Sequence, residues 1–131
     1  MGLKILIVDD SLTIRIALKR LMGLLDAELE EVLEAGDGRA GLEQMRAKAP
    51  DLVLADLNME GMSGQEMITQ MRADADLARI PVVVISSEGS RAVLDDLAPL
   101  GIQSFIRKPF EMGEVSEVLE RALASRFALA Q

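Results

Sequence analysis

The chain contains no cysteine and no histidine. These absences exclude disulfides, thiol and imidazole catalysis, and zinc or iron centres built from such ligands. No Lys/Arg cluster stands against the net charge of -8, so direct nucleic-acid binding through phosphate neutralisation is not expected. No apolar stretch approaches the ~20 residues of a membrane span. Met1-Gly2-Leu3-Lys4 runs straight into an apolar segment, which argues against a cleavable signal peptide, and Leu6 stands where a myristoylation motif needs Ser or Thr. Repeats, low-complexity tracts and linkers are missing too. What remains is 131 residues, half of them apolar and 27% charged, which is ordinary globular usage in one domain spanning 1–131. A cytoplasmic location is expected.

Short apolar runs alternate with helix-like periodicity along this domain. Ile5-Leu6-Ile7-Val8, Leu52-Val53-Leu54-Ala55 and Val82-Val83-Val84-Ile85 are continuous apolar segments, as strands buried on both faces require. A more polar strand over Glu31 to Ala35 fits a sheet edge, and Gln103 to Arg107 supplies a fifth. Between them, Ile14, Ala17, Leu18, Leu21, Met22 and Leu25 mark a helical face with Arg15, Lys19 and Arg20 off it. Gly41, Leu42 and Met45 mark a second helix, ended before Pro50. Ser63-Gly64-Gln65-Glu66 has the spacing of a capping box ahead of a helix burying Gly64, Met67, Ile68 and Met71. The segment from Ser90 to Ala98 is short and weakly periodic, with Pro99 at its end and Gly101 suited to a left-handed cap. A last helix turns Val115, Val118, Leu119, Ala122 and Leu123 inward. Right-handed crossovers place such helices on both faces of a parallel sheet. The predicted fold is a doubly wound (βα)5 α/β sandwich of the flavodoxin-like kind, strand order 2-1-3-4-5.

Ligands in such folds bind just past the carboxyl ends of the strands. Asp9-Asp10, Asp56, Ser86 and Lys108-Pro109 each follow an apolar run and so share that rim. Clustered carboxylates raise one another's pKa unless a cation neutralises them, and all-oxygen ligands suit magnesium, with manganese as a substitute. Magnesium binds through few carboxylates and keeps room for a phosphoryl donor. Asp56 can then act as a carboxylate nucleophile, giving an aspartyl phosphate. The Lys108 ammonium and the Ser86 hydroxyl can each cover an oxygen of the transferred group. Pro109 fixes the backbone after Lys108, a place where a cis bond fits.

With Asp9-Asp10, Asp56 followed by Asn58-Met59 and Gly64, Ser86, Phe105 and Lys108-Pro109-Phe110 in place, the whole chain resembles a response-regulator receiver domain of the stand-alone, chemotaxis-like type. The resemblance implies that Asp56 is the phosphoacceptor. Asp10, Asp56 and the Asn58 backbone carbonyl would bind magnesium, with Asp9 assisting through a water. Ser86 would be the switch hydroxyl and Phe105 the switch aromatic, changing the face made by the fourth helix, fifth strand and fifth helix. A histidine kinase or histidine phosphotransfer protein would supply the phosphoryl group, and a downstream protein target would read the changed face. Such a module carries no output domain, and it is not an enzyme beyond its own phosphorylation and slow dephosphorylation.

The chain departs from the family pattern in places. Glu60 replaces a common Pro, which would leave its loop less rigid; Ser87 adds a polar group beside the switch; Pro99 would shorten or bend the fourth helix. Phe105 lacks the hydroxyl of the more frequent Tyr, so burial of its ring is expected. Asn58 and Glu88 lie where dephosphorylation is tuned. Glu28, Glu30, Glu31 and Glu34 read as a solvated face, and the methionines as core filler, with Met59 and Met62 flanking the site loop. A monomer is expected, with Phe127 and Leu129 as the alternative dimer contact. The competing functions are a phosphate sink or shuttle and a haloacid-dehalogenase-type hydrolase. The hydrolase needs a second carboxylate two residues after its nucleophile, where this chain has Asn58.

Overall fold

Each apolar run becomes a strand and each amphipathic segment a helix. The computed structural model describes residues 2–25 and 28–130, with side chains through 124. Its elements are β1 (Leu3–Val8), α1 (Leu12–Met22), β2 (Leu29–Ala35), α2 (Gly38–Lys48), β3 (Leu52–Ala55), α3 (Gly64–Ala73), β4 (Val82–Ser86), α4 (Arg91–Leu97), β5 (Ser104–Arg107) and α5 (Met112–Ala130). All pairings are parallel and the order is β2-β1-β3-β4-β5, the expected flavodoxin-like sheet. The side chains of Phe127 and Leu129 lie outside the described residues. Among the described residues no helix is long and apolar enough to cross a membrane.

Successive strand residues point to opposite faces, so each central strand feeds two cores. Ile5, Ile7, Leu52, Leu54 and Val83 pack under α1 and α5, whereas Leu6, Val8, Val53, Val82 and Val84 pack under α2 and α3. This double burial is why the runs are continuously apolar. β2 has one neighbour and a mixed burial pattern, which explains its glutamates. It starts earlier than its polar run suggests because Leu3 pairs with Leu29 and donates its amide to the Glu28 carbonyl at 2.8 Å. Met22, Met45, Met67 and Met71 are fully buried, as core-filling methionines should be.

Side chains start the helices where the sequence places caps. Ser11, Asp37, Ser63 and Ser90 accept from the amides of Ile14, Ala40, Glu66 and Val93. The fourth helix is shortened: α4 stops at Leu97 and a 3₁₀ turn over Ala98–Leu100, containing Pro99, carries the chain to Gly101 at φ 64°. That turn is fastened from α3. Arg72 donates from Nε to the Leu100 carbonyl at 2.7 Å and from Nη1 to the carbonyls of Ala78 (3.0 Å) and Ile80 (2.8 Å).

Candidate metal and phosphoryl site

The parallel ladders continue one residue past each strand and bring the rim together. The Asp9 amide donates to the Ala35 carbonyl (3.0 Å), the Asp56 amide to Val8 (2.9 Å) and the Lys108 amide to Ser86 (2.9 Å). Asp9, Asp56, Ser86 and Lys108 therefore sit at adjacent strand ends on one edge. The oxygens of Asp9, Asp10 and Asp56 lie within 4.8 Å of one another. Asp9, Asp56 and Ser86 are buried, while Asp10 faces solvent. An all-carboxylate set this tight, with one open side, fits a hard divalent cation that keeps water ligands.

Lys108 joins the carboxylates. Its Nζ donates to Asp9 Oδ2 at 2.8 Å and to Asp56 Oδ2 at 3.1 Å, contacts spanning 99 and 52 residues of sequence. Burial pulls the ammonium pKa down, but the hydrogen bonds and charges of Asp9 and Asp56 outweigh it, and the net shift is upward. The Lys108-Pro109 bond is cis. Asp56 Oδ1 accepts the Asn58 amide at 3.3 Å, closing a turn directly after the acceptor. Gly64 shapes the same turn: its amide donates to Leu57 at 3.0 Å, and a Cβ there would fall 2.0 Å from the Asp56 carbonyl oxygen. Met62 braces the loop from the other side, its carbonyl accepting the Gly38 amide at 3.2 Å. Met59 and Met62 both pack on the core, so the loop containing Glu60 is fastened at several points.

On the β4 side, the Ser86 Oγ accepts the Glu88 amide at 3.3 Å and keeps its own proton to give. Phe105 is of intermediate exposure, packed against the core under α2 and α3 without being fully buried. A Cβ on Gly89 would come 3.2 Å from the edge of that ring, so the β4–α4 loop passes close to Phe105 and leaves little room for a side chain there. Ser87 is exposed beside an open, mainly apolar cavity lined with Ile14, Lys108, Pro109 and Phe110.

Two sequence readings are corrected. Glu34 is no member of a solvated face. Its carboxylate binds Arg15 Nε at 3.1 Å and Lys19 Nζ at 3.0 Å, and the Lys19 hydrogen bond above all holds its pKa below the ordinary glutamate value against the effect of burial. Arg15 is likewise half-buried, and its Nη1 donates to the Asp9 carbonyl. An ion pair between α1 and β2 has no periodic signature. The one available hint was that Arg15 lies one turn after the cap Ser11, on the side of the acidic pair.

Comparison with known proteins agrees with this geometry. Residues 5–120 match the response regulator receiver domain. The chain belongs to the response-regulator receiver domain family. It is 36% identical to chemotaxis protein CheY-3 of Vibrio cholerae over 120 residues, covering 92% of this chain and 91% of that protein. To chemotaxis protein CheY of Pseudomonas aeruginosa it is 34% identical, covering 91% and 94%. Among solved structures, the N-terminal domain of an uncharacterized protein from Wolinella succinogenes superimposes with a TM-score of 0.86 at 32% identity, covering 97% and 98%. Receiver domains of this CheY type serve phosphorylation-dependent signalling, interact with kinases and downstream targets, and bind Mg2+ through an acidic cluster; this chain carries an acidic group of Asp9, Asp10 and Asp56.

Proposed function

We propose that this receiver domain is a phosphorylation switch that takes a phosphoryl group onto Asp56 from a histidine kinase or histidine phosphotransfer protein. An Asp56 carboxylate oxygen attacks phosphorus as the bond from phosphorus to the donor's nitrogen breaks, and the donor imidazole leaves with that electron pair. Mg2+, or Mn2+ in its place, held by Asp10, Asp56 and the Asn58 carbonyl with Asp9 assisting through a water, would neutralise charge on the transferred group. Lys108 meets a second oxygen and the Ser86 hydroxyl a third. Ser86 can donate while still accepting from the Glu88 amide, so a movement of Ser86 would be passed to the loop that runs close to Phe105. The face of α4, β5 and α5 is then the surface a downstream protein reads, and a cytoplasmic location fits these partners. On this reading the chain turns over no external substrate: it catalyses only its own phosphorylation and slow dephosphorylation.

The observation that carries this reading is the Lys108 ammonium bridging Asp9 and Asp56 at one rim. The test is incubation with acetyl phosphate and Mg2+, followed by intact mass. One phosphoryl adduct is expected in the wild type and none in Asp56→Ala. No adduct in either protein, or the same adduct in both, would overturn the proposal. Rapid catalytic turnover of a phosphate ester would replace it with a hydrolase.

A further inference from the structure

Asp9 has every polar atom engaged. Its amide donates to Ala35 (3.0 Å), Oδ1 accepts the Ser11 amide (2.9 Å), Oδ2 accepts Lys108 (2.8 Å), and its carbonyl accepts Arg15 Nη1. The last bond has a separate consequence. That carbonyl belongs to the peptide plane between Asp9 and Asp10, so Arg15 sets the plane from which the exposed Asp10 side chain departs. Asp10 itself lies between elements, β1 ending at Val8 and α1 beginning at Leu12.

Arg15 is in turn held. Its Nε binds Glu34 Oε1 at 3.1 Å, the other oxygen of Glu34 binds Lys19 at 3.0 Å, and Gln44 Nε2 reaches the Glu34 carbonyl at 3.5 Å. A guanidinium presents several donors in a fixed plane, so one nitrogen can face Glu34 while another faces Asp9. An ammonium has no such rigid fork.

We infer that Arg15, oriented by Glu34, is a positioning residue that fixes the Asp9–Asp10 peptide plane and through it the divalent-cation affinity of the site. This rests on the receiver reading proposed above. Partners that orient a cation's ligands without touching it commonly matter at the level of about 10- to 100-fold in affinity. The alternative is that Arg15 acts as a charge alone. A lone cation beside an acidic site opposes Mg2+, so its removal would tighten binding, while removal of the Glu34 charge would weaken it. Positioning predicts the same sign for both changes.

Mg2+ titration by calorimetry on the full chain separates these cases, with thermal unfolding measured on each variant. Arg15→Met is expected to weaken Mg2+ by about tenfold, Glu34→Gln to weaken it less, and Arg15→Lys to fall between wild type and Arg15→Met. The Asp10 amide resonance should shift in all three. Should Arg15→Met fail to fold, Arg15→Lys and Glu34→Gln still carry the test, since both keep a polar group in place. Opposite signs for Arg15→Met and Glu34→Gln would overturn the inference in favour of charge. Lowered melting temperatures with unchanged Mg2+ affinity would overturn it in favour of a purely structural ion pair. If the wild type itself takes up no Mg2+, the receiver reading falls and this inference with it, an outcome distinct from the other two.

Discussion

The two sides of the rim are built differently. On the β1–β3 side every residue of β3 is buried, β1 is buried except at Lys4, and the loop after Asp56 is tied through Leu57, Asn58, Met62 and Gly64. On the β4–β5 side β4 is buried throughout, but α4 has seven residues and a single buried one, Leu97, and β5 buries only Ile106. Leu94 of α4 is exposed, and Gly89 offers the Phe105 ring no side chain. The carboxylates Asp9 and Asp56 sit where local opening is costly, whereas Lys108 and Ser86 close the site from a side whose helix α4 is lightly anchored and opens more cheaply. The contrast lies in α4 and β5, since β4 is as fully buried as β3 and the same ladder geometry runs across both sides.

The sharpest way to break the rigid side is Gly64→Ala. A Cβ 2.0 Å from the Asp56 carbonyl forces the backbone of the acceptor itself to move, so a loss of about 3 kcal/mol or more in denaturant unfolding is expected. Phosphorylation by acetyl phosphate should fall with it. Leu97→Ala tests the soft side. Removing the one buried anchor of α4 should cost about 2–3 kcal/mol and raise amide exchange through α4, with Mg2+ affinity left as in wild type. Equal disturbance of the Asp56 loop by Leu97→Ala would erase the distinction between the two sides. The smallest effect is a pH dependence. The folded pKa of Lys108 is raised, so the stability its bridge contributes is complete below the ordinary lysine value of about 10.4 and is lost as pH climbs through the folded value. Unfolding midpoints followed into the alkaline range should show this decline in the wild type and a flatter limb in Lys108→Met.

Much of this molecule is readable from its residues because few forces decide it. Continuous apolar runs such as Leu52–Ala55 admit only a strand covered on both faces, and the polar β2 goes to the edge for the same reason. Once the sheet is parallel, Asp9, Asp56, Ser86 and Lys108 have no choice but to share a rim. Less legible were the contacts that depend on close approach or on groups distant in sequence. Gly64 looked like one more buried helical position, whereas its role is to let α3 touch the Asp56 carbonyl. Arg15 and Glu34 looked like surface charges because nothing in a helical period distinguishes an arginine turned toward a neighbouring strand. Among the described residues Arg72 binds backbone carbonyls, a partner that every residue carries and that no side-chain pattern can flag.

That grip has a mechanical meaning. Arg72 holds the carbonyl of Leu100, just beyond the C-terminal end of α4, and those of Ala78 and Ile80, just before β4. The opposite end of α4 starts at Ser90, next to the loop that runs close to Phe105. A rod clamped at one end answers a push at the other by swinging about the clamp, so on the proposed function α4 would be displaced most near the proposed phosphoryl site and least toward Leu100. On that reading α4 would be a lever with its fulcrum on the far edge of the sheet, and Arg72 its pin.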